Sequence, residues 1–206
     1  HNPPALVELD HGHDVGQLVL EAGPAELPDH GEGVHRPPAR RLPPLRLGRF
    51  IPSQATPLVV NGRMFLSTPY GRVVALDPET GRELWVYAVP NNDQPSTRGV
   101  EYWPGMEGAE PAIFFGTRSG KLIGLSAATG QPVASFGQSG IVDMKTPEVM
   151  NGLARGQLGM SSPPLTYKNL VITGSRVQET PSRGAAGDVR AWDARTGQLV
   201  WTFHTV

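Results

Sequence analysis

Cysteine is absent from the 206-residue chain, which rules out disulfides and thiolate metal sites. An excess of one charge sign is missing too. Eighteen Lys and Arg stand against 19 Asp and Glu, a formal net charge of −1, so no strong field points to nucleic acid or an anionic membrane. No apolar run approaches the roughly 18 residues of a membrane-spanning helix. The opening His1-Asn2-Pro3-Pro4 lacks the basic start and apolar core of a secretory leader. No G-x-x-x-x-G-K-[ST] phosphate loop and no Ser-His-Asp constellation is found.

What the chain has in quantity is Gly and Pro, 25 and 21 residues. Such numbers disfavour a helical protein and suit many short strands joined by tight turns. They are unevenly spread. Residues 1–52 hold 9 of the 21 Pro and 5 of the 6 His, with no Trp or Tyr and no sustained period of 2 or 3.6. This segment reads as irregular: either poorly ordered or mistranslated from a misplaced start. His11 and His13 with Asp10 and Asp14 have metal-ligating side chains but no scaffold to fix them, and the basic 36–49 stretch reads as a solvated run.

From residue 53 onward the pattern changes. Strands are expected over 57–60, 63–68, 72–76 and 83–88, with Asn61-Gly62 as a hairpin signal between the first two. Strands over 112–116, 121–126 and 132–136, then over 162–167, 170–175, 188–192 and 199–204, repeat the theme. Self-similarity of this size marks a propeller or solenoid, and four strands per unit favours propeller blades.

Two units carry one phrase. Ala75-Leu-Asp77-Pro-Glu-Thr80-Gly81-Arg-Glu-Leu-Trp85 matches Ala191-Trp-Asp193-Ala-Arg-Thr196-Gly197-Gln-Leu-Val-Trp201. A degenerate copy, Gly124-Leu-Ser126-Ala-Ala-Thr129-Gly130-Gln-Pro-Val-Ala134, lies between them. Asp and Thr side chains can bond the backbone of the turn they flank, and Gly permits positive φ at the reversal. Trp offers a broad surface to cover a neighbouring unit. The plainer alternative is an ordinary D-x-x-T-G hairpin. A WD-type repeat is a poorer match, because Asp193 starts a turn and the structural Trp comes eight residues later.

The phrase resembles the tryptophan-docking motif of the pyrroloquinoline-quinone (PQQ) dependent alcohol and sugar dehydrogenases. That resemblance implies an all-β fold: a partial β-propeller of about three four-stranded antiparallel blades over 53–206, from an eight-bladed parent, behind the irregular N-terminal segment. It also assigns candidate residues. The phrase Thr97-Arg98-Gly99-Val100-Glu101-Tyr102-Trp103-Pro104 is similar to the family's Arg-Gly-x-x-Tyr-Trp, whose arginine binds a PQQ carboxylate. Otherwise Arg98 would be a surface arginine paired with Glu101 or Asp93. In Gly159-Met160-Ser161-Ser162-Pro163-Pro164, Ser161 takes the position of a cofactor-bonding Ser or Thr, or else caps a turn. In Gly174-Ser175-Arg176-Val177-Gln178-Glu179, Glu179 takes the position of a Ca²⁺ ligand, or else is a solvated loop glutamate. Gln54 stands where many members have a cofactor-contacting glutamate.

The resemblance implies oxidation of an alcohol or aldose by hydride transfer to PQQ, with Ca²⁺ as Lewis acid. It also implies a quinone or cytochrome as electron acceptor, a periplasmic setting and no nucleic-acid partner. Residues 91–97 lack the paired cysteines of methanol dehydrogenase-like members, and Trp201-Thr-Phe-His204-Thr leans toward the glucose dehydrogenase side. The family's general-base aspartate lies in a later blade and is expected beyond the C-terminus. No residue here is therefore assigned as the base, and the fragment alone is expected to be inactive. Asp143 and Asp188 are expected to be structural. The alternative from a different class is a non-catalytic PQQ-like repeat scaffold that binds protein, which would have no use for Arg98 or Glu179.

Overall fold

Short apolar runs closed by turn residues give fourteen strands among the described residues. The computed structural model describes residues 52–106, 108–150, 152–153, 157–178, 180 and 184–205. The expected irregular segment up to residue 51, with its His11/His13 grouping and basic run, lies outside them, as does Glu179.

The first blade is β1 (Leu58–Val60), β2 (Arg63–Thr68), β3 (Arg72–Leu76) and β4 (Glu83–Ala88), paired antiparallel in chain order. Asn61 and Gly62 both take positive φ, 48° and 69°, as a two-residue reversal between twisted strands demands. The second blade is β5 (Glu101–Trp103), β6 (Ala112–Gly116), β7 (Lys121–Ser126) and β8 (Ile141–Asp143). Then come β9 (Leu158–Gly159), β10 (Leu165–Tyr167), β11 (Leu170–Thr173), β12 (Arg176–Val177), β13 (Val189–Asp193) and β14 (Leu199–Phe203). Of these, β10-β11-β13-β14 form the third blade, while β9 and β12 pair as a separate two-stranded sheet. The strand expected from residue 162 starts only at Leu165, after Pro163 and Pro164, which have no N–H to give a ladder.

The repeated phrase builds the same turn each time. Asp77 Oδ1 accepts the N–H groups of Glu79 and Thr80, both at 3.0 Å, and Asp193 Oδ1 accepts those of Arg195 and Thr196, both at 2.9 Å. Each copy carries a bulge one step after the pairing of Ala with Trp, Ala75 with Trp85 and Ala191 with Trp201. In the middle copy the backbone bond survives, Gly130 N–H to Ser126 O at 2.8 Å.

That middle copy also corrects an expectation. Residues 132–136 are not a strand. The chain turns instead, with Phe136 N–H on Val133 O, and buries Phe136 completely. The outer strand is supplied later by β8, which pairs with β7 from Lys121↔Asp143 to Ile123↔Ile141. With Ala134 in place of Trp, the segment has no indole at that position, and Phe136 instead packs against Phe114, ring centroids 5.0 Å apart, in the core between the second and third blades.

Two cores flank the middle sheet. Ile113, Phe115, Ile123 and Leu125 meet Phe65, Val73 and Trp85 of the first blade. Ala112, Phe114, Leu122 and Val142 meet Val171, Trp192 and Ala194 of the third. β6 is therefore buried at every position, and its sequence, Ala-Ile-Phe-Phe-Gly, is apolar throughout rather than alternating.

Candidate functional site

Three of the four candidate residues stand at equivalent places. Gln54 precedes β1, Arg98 precedes β5 and Ser161 precedes β10, so each lies on the lead-in to the first strand of its blade. These lead-ins are linked across the blades by the main chain. The Thr56 N–H donates to Arg98 O at 3.2 Å, and the Arg98 N–H donates to Ser161 O at 3.1 Å. The structure thus brings Arg98 and Ser161 together, with Gln54 two residues from the Thr56 link. Gly99, at φ 128°, lets the strands come this close, because a Cβ there would lie 3.1 Å from Thr56 O.

The Arg98 loop is held from behind. Ser96, fully buried, donates its Oγ–H to Gly99 O at 2.6 Å and accepts the Ser67 hydroxyl on its carbonyl at 2.7 Å. The guanidinium itself is exposed and, among the described residues, donates to one side chain, the Ser162 hydroxyl, 3.3 Å from a terminal nitrogen. Neither acid offered as its partner takes that role. Glu101 Oε1 accepts the Thr166 N–H at 3.2 Å and hydroxyl at 3.0 Å, and the Asp93 carboxylate binds the Ser119 N–H and hydroxyl. Among the described residues the Arg98 guanidinium thus has no carboxylate partner, and its planar fork is of the kind that matches a carboxylate.

Ser161 lines a cleft of about 210 Å³ with Met160, Ser162, Pro163, Gly174, Ser175 and Arg176. Of these, Ser162 and Ser175 were not singled out from the sequence; only their adjacency to chosen phrases hinted at them. The Ser175 side is braced by a buried pair. Asp188 and Arg190 lie 3.0 Å apart, and Arg190 also donates to Ser175 Oγ at 3.3 Å. Burial lowers the Arg190 pKa, and the Asp188 charge opposes that shift. Asp188 also accepts His204 Nδ1 at 3.1 Å and the Thr205 N–H at 3.3 Å. Asp143 binds Lys121 and the Lys145 N–H. Both aspartates are thus engaged in holding the fold. Among the described residues no three His, Cys, Asp or Glu side chains group as a metal site.

A family profile for the β-propeller domain of PQQ glucose/ethanol/alcohol dehydrogenases matches residues 41–206. The dehydrogenase subunit of a quinone alcohol dehydrogenase from Gluconobacter oxydans is 37% identical over 161 residues, covering 74% of this chain and 19% of that protein. Quinoprotein glucose dehydrogenase A from Acinetobacter calcoaceticus is 29% identical over 175 residues, covering 74% and 22%. The crystal structure of quinohemoprotein alcohol dehydrogenase from Comamonas testosteroni superposes with a TM-score of 0.59 at 30% identity, covering 75% of this chain and 21% of that one. The chain spans about a fifth of the length of the relatives it matches. Its all-β blades form part of a propeller, and the chain belongs to the PQQ β-propeller family of glucose, ethanol and alcohol dehydrogenases.

Proposed function

We propose that this chain supplies part of the PQQ site of a quinoprotein dehydrogenase that oxidises an alcohol or an aldose sugar. The observation that carries this reading is Arg98: an exposed guanidinium on a loop tied down by the Ser96 hydrogen bonds, free of any carboxylate partner among the described residues and linked through the main chain to Ser161. Arg98 would bind a cofactor carboxylate through paired N–H donors. Ser161 and Gln54 would offer hydrogen bonds from the neighbouring lead-ins. When bound, PQQ supplies the hydride-accepting quinone and Ca²⁺ supplies a Lewis acid. The donor set suits an anionic quinone. For Ca²⁺ the described residues give no ligand group, and that assignment rests on Glu179 through the family resemblance. The periplasmic setting and the quinone or cytochrome acceptor rest on resemblance in the same way.

Equilibrium titration of the full chain with PQQ and Ca²⁺ tests the reading. Saturable binding is expected, weakened at least tenfold by Arg98→Ala and less by Arg98→Lys. Glu179→Gln should remove its Ca²⁺ dependence. Absence of saturable PQQ binding, or indifference to Arg98→Ala, would overturn it in favour of a protein-binding scaffold.

A further inference from the structure

A second cleft, of about 320 Å³, is lined by Arg118, Lys145, Gln157, Leu158, Gly159 and Arg176. Its described lining holds three cationic side chains and no acid. Among the described residues, none of the three makes an ion pair or a side-chain hydrogen bond. Asp143, two residues before Lys145, is bound by the Lys121 ammonium, and, against the opposing effect of burial, the Lys145 charge also helps to hold its carboxyl below the usual range.

The fold holds these residues together by backbone packing. Gly159 pairs with Arg176 across β9 and β12, and a Cβ on Gly159 would lie 2.2 Å from Arg118 O, so both arginines are seated against one glycine. The Met160 N–H donates to Thr117 O at 2.9 Å, locking the Arg118 loop to the same strand. Gly120 plays the matching part for the lysine: a Cβ there would lie 3.0 Å from Lys145 Cε, and the Met144 N–H donates to Gly120 O at 2.9 Å. The three cations come from three separate segments, and only Arg176 lies in one of the motif phrases, where its neighbour Glu179 and not the arginine carries the expectation.

Like charges held side by side repel, and a multivalent anion between them turns that repulsion into attraction. Guanidinium groups match the geometry of carboxylate and phosphate oxygens, and an ammonium adds a point charge. We propose that this cleft binds a small anion bearing carboxylate or phosphate groups. Arg176 also lines the Ser161 cleft, so the two sites share a wall. The inference does not require that PQQ occupies the other one.

Isothermal titration calorimetry of the full chain in low-salt buffer, with inorganic phosphate and with citrate as probes, tests it. Saturable binding of at least one probe is expected, and the stronger probe separates phosphate from carboxylate chemistry. Arg118→Ala combined with Lys145→Ala should weaken it at least tenfold, and Lys145→Glu alone should abolish it. Arg82→Ala combined with Arg195→Ala, which removes exposed cations elsewhere, should change it less than twofold. Circular dichroism of each variant confirms that the fold is retained. Failure of both probes to bind, or an equal loss in the Arg82/Arg195 control, overturns the proposal. Titrating PQQ into the Arg118/Lys145 variant and phosphate into Arg98→Ala separates the two sites. Phosphate binding without PQQ binding leaves this inference standing and removes the earlier one; the reverse removes this one alone.

Discussion

The indole N–H of Trp85 donates to the carbonyl oxygen of Ala127 at 3.2 Å, across the boundary between the first and second blades. Its ring lies over Gly130, in the turn of the degenerate phrase. The matching residue of the third blade, Trp201, is 38% exposed, against 9% for Trp85. In this chain Trp85→Ala is expected to cost about 3–5 kcal/mol. Trp201→Ala should cost less than half of that. Urea unfolding of the two variants makes the comparison.

Three glycines of equivalent turns should respond differently to alanine. Gly81, Gly130 and Gly197 have φ of 69°, 72° and 71°, so each substitution carries the left-handed penalty of about 1–2 kcal/mol. A Cβ at Gly81 meets nothing within 4 Å, whereas at Gly130 it would lie 2.6 Å from the Trp85 ring and at Gly197 2.4 Å from Val142 Cγ2. Overpacking adds about 1–3 kcal/mol at the latter two. Equal loss of stability at all three positions, measured by thermal melts, would contradict this account of how the blades meet.

Acid should loosen the repeated turns. Thr80 and Glu79 N–H groups hold the Asp77 carboxyl below its usual range despite some burial. At Asp193 burial alone would raise the pKa, but the Thr196 and Arg195 hydrogen bonds outweigh it and the net shift is downward. Groups with depressed folded values contribute stability that is complete above the unfolded value, about 3.9, and is lost as pH falls through the folded value. Tm should therefore hold steady from pH 7 to 5 and decline below about pH 4. The double variant Asp77→Asn, Asp193→Asn should start lower and decline less over that range.

Much of this architecture is legible in the residues. The first-blade strands β2, β3 and β4 begin and end where apolar alternation and turn residues place them, because each hairpin is a local event. Residues 140–143 read as strand-like, but that β8 replaces 132–136 as the outer strand depends on a chain excursion after Ala134 that the local residues do not encode. β5 lies inside the Arg98 phrase and is only three residues long, too short to show an alternation of its own. At the site, the phrase identified Arg98 but could not show that Glu101 and Asp93 are committed to Thr166 and Ser119. Side-chain partnerships 26 and 65 residues apart in sequence depend on how blades stack, which spacing alone does not encode. The Glu179 and His11/His13 expectations fall on residues outside the described set.

The middle sheet acts as a party wall. Ile113 and Phe115 belong to one room and Ala112 and Phe114 to the other, so β6 has no outward face to surrender. Detaching either neighbour would wet half of a strand made to be dry on both sides. Each outer sheet, by contrast, shares one room and carries strands with exposed positions, such as Val59 in β1 and Phe203 in β14. Unfolding should therefore run as a zipper from the edges inward, each step governed by the contact with the next repeat. Amide protons of β6 should be the last to exchange.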